Sequence, residues 1–146
     1  MRKRFAVLVI AVMLFVLSGC KSLSARGQQL LGNVSSYTHV AEYAKANLTK
    51  PEYMTSEGRY HVNVSVLYSV DEIKADASVV GKDFSYFWIE KDSVQFWNDE
   101  TKTEGILYAF DVNEAVGKLS TTYKDMQVEK LKDNCYLVQQ ARAYIG

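Results

Sequence analysis

Residues 84–97 read FSYFWIEKDSVQFW, and six of those fourteen side chains are aromatic. From Phe84 to Ile89 apolar residues fall at both odd and even positions. Successive side chains of a strand point to opposite faces, so a strand of this composition has to be covered on both sides. That places it near the middle of a sheet. Glu90, Lys91 and Asp92 then turn the chain, and Val94 to Trp97 returns, so the stretch predicts an antiparallel hairpin. One face packs on helices, and the other meets a second layer or a partner.

The rest of the pattern supplies the layers. Leu23, Leu30, Val34, Tyr37, Ala41, Ala44 and Leu48 recur at helical spacing, with a break expected between Gly32 and Ser36 and an end before Pro51. Tyr60, Val62, Val64, Val66 and Tyr68 alternate with His61, Asn63 and Ser65, which predicts a half-buried strand with His61 on its wet face. Ser69 and Glu72 have capping-box spacing ahead of Ile73, Ala77 and Val80, and Gly81 stops that helix. A strand over 105–110 precedes a helix carrying Val112, Val116, Leu119 and Tyr123, capped by Asp111 or Asn113. A closing hairpin over 126–131 and 135–140 turns at Lys132, Asp133 and Asn134. The expected class is α+β: a mainly antiparallel sheet with an N-terminal helix and two shorter helices packed on it.

The first twenty residues follow a different logic. Arg2, Lys3 and Arg4 precede an uncharged run over 5–17, then Ser18 and Gly19 bring small side chains before Cys20. A basic segment, a short apolar segment and small residues make a secretory signal, and the run is shorter than the roughly 20 residues that span a bilayer. Leu17, Ser18, Gly19 and Cys20 resemble the lipobox of bacterial lipoproteins. The resemblance implies cleavage before Cys20 and a diacylglyceryl thioether on its thiol, with the anchor in the membrane. Lys21, where many inner-membrane lipoproteins carry aspartate, implies the outer membrane, facing the periplasm, if the host is Gram-negative. The expected organisation is a cleaved signal over 1–19, a lipidated cysteine and short tether over 20–27, and one domain over 28–146.

Loss of three basic residues with the signal turns a formally neutral chain mildly acidic. That disfavours nucleic acid, which draws on a basic stripe. Lipidation of Cys20 leaves Cys135 without a disulfide partner, and the expectation is a buried structural thiol. His39 and His61 have no metal-ligand spacing, and no zinc, phosphate-loop, dinucleotide or nucleophile-elbow motif occurs. Neither a cofactor nor a metal is expected. The carboxylates at Asp71 and Glu72, at Asp99 and Glu100, and at Glu90 and Asp92 read as caps and solvated turns.

These features favour a non-enzymatic, lipid-anchored envelope protein, an assembly or accessory factor that binds another envelope component. An anchored inhibitor of a secreted or periplasmic enzyme, such as lysozyme, is the alternative. Small inhibitors of that kind usually carry a disulfide framework, which this chain lacks. A thiol enzyme using Cys135 is a third possibility. Aromatic side chains anchor interfaces as readily as cores, so Trp97, Trp88 and Tyr86 are the candidate partner-binding residues. Trp97, beside the polar residues Asn98, Asp99 and Glu100, is the better surface candidate.

Overall fold

A computed structural model describes residues 22–122 and 126–140. Six strands form one sheet: β1 (Tyr60–Asn63), β2 (Tyr86–Ile89), β3 (Ser93–Trp97), β4 (Glu104–Ala109), β5 (Met126–Lys132) and β6 (Cys135–Gln140). Their order is β1-β2-β3-β4-β6-β5, and every neighbouring pair is antiparallel. The fold is α+β. The doubly apolar hairpin sits where its composition requires, with all nine residues of β2 and β3 buried.

Helices α1 (Ala25–Leu31), α2 (Val34–Asn47) and α3 (Lys74–Val80) cover one face. Their core joins Leu30, Tyr37, Val40 and Ala44 to Phe87, Ile89, Val94, Phe96, Ile106 and Leu137. Tyr37 is fully enclosed and meets Phe84 edge-on, ring centroids 5.9 Å apart. The other face is covered by α4 (Val112–Thr122), whose Ala115 and Leu119 pack with Tyr86, Trp88, Trp97, Leu107, Tyr136 and Val138. Asp111 starts α4 by accepting the Glu114 N–H on its side chain, 3.2 Å, which meets the capping expectation. The sheet thus lies between two helical layers.

Several local expectations change. The break in the first helical stripe falls at Gly32 and Asn33, as read. The strand predicted over 60–68 ends at Asn63, and Val64–Ser69 winds into a 3₁₀ helix. Residues three apart eclipse in such a helix, so Val64 and Leu67 turn inward while Val66 and Tyr68 stand exposed. The alternating sequence outlasts the strand because a three-residue turn can bury two of the same valine and leucine side chains. Ser69 is the last residue of that 3₁₀ helix and caps nothing; α3 begins at Lys74 after Ile73, with no side-chain cap. Helix α1 begins at Ala25, inside the segment read as tether. Tyr123 and the lipobox residues Leu17, Ser18, Gly19 and Cys20 lie outside the described residues.

Candidate functional site

Alternation along β2 sends Phe87 and Ile89 into the three-helix side and Tyr86 and Trp88 to the α4 side. Cross-strand register pairs Tyr86 with Trp97, so the three candidate aromatics share one face. None is a surface anchor. Tyr86 is 5 %, Trp88 7 % and Trp97 1 % exposed, which corrects the expectation that Trp97 faces solvent. Polar neighbours in sequence did not make Trp97 a surface residue, because the strand carries its ring beneath α4 before the chain reaches Asn98. Gly105, its partner across β4, is part of the reason: a Cβ there would lie 2.6 Å from the Trp97 ring. Only glycine leaves the indole that space.

Trp88 differs from the other two in what covers it. The Arg59 guanidinium carbon lies 3.3 Å from the ring centroid, and Lys102 Nζ lies 3.7 Å from it. Cations over an indole face are drawn to its π quadrupole, about 0.5–2 kcal/mol each. Lys102 holds its position with φ at +51°, a left-handed conformation that a side chain with a Cβ rarely adopts. Burial, and then the neighbouring Arg59 charge, pull the Lys102 ammonium below its ordinary pKa. Arg59 is held in turn by Glu57 and by Glu90, the latter at 3.4 Å. His61, expected to be solvated, is half-buried and stacks on Tyr86 at 4.7 Å.

The β2–β3 turn lies next to this roof. Asp92, read as a solvated turn carboxylate, is 2 % exposed. Its side chain pairs with Lys118 Nζ of α4 at 2.7 Å, and its carbonyl accepts the N–H groups of Phe110 and Asp111. Lys45 of α2 donates to the Glu90 carbonyl at 2.8 Å from the other side of the sheet. Between these groups opens a groove of about 420 Å³ lined by Glu57, Gly58, Arg59, Glu90, Lys91 and Lys118. Two acidic and three basic side chains line it, which suits a partner that supplies both signs of charge.

At the opposite edge of the sheet, Glu129 of β5 binds Ser24 twice. One oxygen accepts the Ser24 N–H and the other its hydroxyl, each at 2.6 Å. Gly27 allows this approach, since a Cβ there would fall 3.0 Å from the carboxylate. Two residues after Ser24, Arg26 donates to Glu104 at 2.6 Å and to Asp83 at 2.8 Å. These carboxylates, Glu104 first, raise the Arg26 pKa still further.

Nucleophilic chemistry has little to work with at Cys135. Its side chain is fully buried with Thr38 Oγ1 at 3.9 Å, and burial pushes the thiol up to about 11. A reactive thiolate needs the reverse shift. His39 lies beside Asp76 at 3.1 Å, and His61 is on Tyr86. Among the described residues no three His, Cys, Asp or Glu side chains are grouped to hold a metal ion, and no helix is long and apolar enough to cross a membrane. No family model, curated protein or solved structure matches the chain. Arg59, Lys102 and Lys118 carried no sequence signal, because their roles depend on contacts with Trp88 and Asp92 across 14 to 29 positions of chain, set only by the fold.

Proposed function

We propose that this protein is a non-enzymatic, lipid-anchored envelope protein that acts as a binding or accessory factor for another envelope component. The observation that carries the reading is the sequence Leu17-Ser18-Gly19-Cys20 closing a thirteen-residue uncharged run, with a folded domain following within a few residues. Acylation of Cys20 holds the domain at a membrane, since two or more acyl chains make a stable anchor. The outer membrane, facing the periplasm, is the destination in a Gram-negative host. The groove at Arg59, Glu90, Lys91 and Lys118 is the surface assigned to the partner, and Trp88 lies buried under the Arg59 that lines it rather than in contact. Tyr86 and Trp97 pack in one cluster with Trp88 and with Ala115 and Leu119 of α4.

Two measurements test the reading. Radiolabelled palmitate should enter the wild-type chain and fail to enter Cys20→Ser; label in the variant would refute the anchor. A photo-crosslinking residue at Lys91 in intact envelopes should give a discrete product that charge reversal at Lys118 weakens. The same probe at Glu72, on an exposed loop away from the groove, should give none. Equal products from the two positions would remove the groove from the account.

A further inference from the structure

We infer that the β5 edge and the N-terminal end of α1 face the bilayer, with the β1 edge and its groove turned away from it. The inference rests on the proposed acylation of Cys20 and adds to it a direction. Ser24 is not part of a loose tether: Glu129 binds its N–H and its hydroxyl, and its own hydroxyl accepts the Gly27 N–H at 3.0 Å. The paired contacts of Arg26 with Glu104 and Asp83 fix the same helix two residues further on. Between Cys20 and the hydrogen-bonded Ser24 the sequence has only residues 21–23, and Leu23 already packs against the core. Four residues of fully extended chain reach about 14 Å, whatever path they take.

The sheet is wider than that leash. Five interstrand spacings separate β5 from β1, about 24 Å at the usual 4.8 Å each. A domain held within about 14 Å of the bilayer at Ser24 cannot turn its β1 edge to the lipid without lifting Glu129 and β5 away from their anchor point. The occupant of the β5 edge is then the headgroup layer. Gln127 and Lys130, both exposed on this edge strand, would lie against it. An uncovered edge strand invites pairing with another chain, and a membrane laid along it removes that opportunity.

The test uses the full lipidated chain in vesicles of phosphatidylethanolamine and phosphatidylglycerol that carry a nitroxide on a fraction of the headgroups. Gln127→Cys and Asn63→Cys place one fluorophore each on β5 and β1, at exposed positions, while Cys135 stays buried. Quenching at position 127 should exceed that at position 63 about three-fold or more, given the separation of the two edges. Inserting about twenty Gly/Ser residues between Ser22 and Leu23 gives a flexible leash as long as the sheet is wide and should abolish the contrast. Bound protein with equal quenching at both positions overturns the orientation and leaves the anchor standing. A contrast that survives the spacer also overturns it, because the leash would not be its cause. Wild-type chain that washes off the vesicles overturns the anchor and the orientation together.

Discussion

The two faces of the sheet solve the same problem with different materials. On the three-helix face, β3 offers Val94 and Phe96, and the cover is mainly apolar. On the α4 face the same strand offers Ser93, Gln95 and Trp97, and Asp92 is buried at its start. One helix of eleven residues cannot roof a six-stranded sheet, so cationic side chains finish the job. Arg59 and Lys102 close over Trp88, and Lys118 reaches down to Asp92. Long cationic side chains suit this because their stems cover apolar surface while their heads reach water. The face with fewer apolar layers is thereby the one that carries charge beside a groove.

Mutations should separate the two faces by size of effect. Phe96→Ala empties a fully enclosed site on the three-helix face and should cost about 3–5 kcal/mol in a denaturant melt. A loss under about 1 kcal/mol would mean that this face is no better packed than the other. On the α4 face, Lys118→Met should cost about 2–3 kcal/mol, because it leaves the buried Asp92 carboxylate without its cation. Asp92→Asn should cost only about 1 kcal/mol, since the half-exposed Lys118 remains solvated. Equal losses from the two variants would show that burial of Asp92 carries no penalty. The roof is weaker again. Arg59→Ala and Trp88→Leu, measured singly and together, should show a coupling of about 1 kcal/mol. Strict additivity would reduce the roof to packing alone.

The smallest effect is one of pH. Burial raises the Cys135 thiol from 9.0 to about 11, so the folded chain keeps a proton that the unfolded chain releases. Stability from this source is complete below pH 9 and declines as pH rises towards 11. Denaturant midpoints across that window should fall less steeply in Cys135→Ala than in wild type. Identical slopes would place the alkaline sensitivity elsewhere, with the Tyr37 phenol, pushed by burial to about 12, as the next group to examine.

What could be read in advance follows from the range of the forces involved. The central hairpin was legible because Phe84 to Ile89 cannot be half-solvated in any register. The α1–α2 break, the capped start of α4 and the closing hairpin were legible because glycine, aspartate and turn residues act on their own neighbours. Val66 and Tyr68 misled because alternation is satisfied by a 3₁₀ turn as well as by a strand when only Val64 and Leu67 need cover. Trp97 misled because exposure depends on what lies overhead, and Ala115 and Leu119 come from another part of the chain. The pairings of Asp92 with Lys118 and of Glu129 with Ser24 are of the same kind, each joining residues that only the finished sheet brings together.

The strand order also has a temporal side. β6, the last of the described strands in chain order, is not at an edge but between β4 and β5. Until Cys135–Gln140 has been synthesised, β4 lacks one neighbour and β5 has no sheet to join. Leu137, at the centre of β6, belongs to the main core, so that core also waits. Domains otherwise begin to fold from the N-terminus while synthesis continues. A keystone that follows the strands on either side of it postpones closure of the sheet until Gln140 has been made. For a chain proposed to leave the cytoplasm, that order would keep β4 and β5 unjoined, and the chain open to threading across a membrane, until Gln140 is in place.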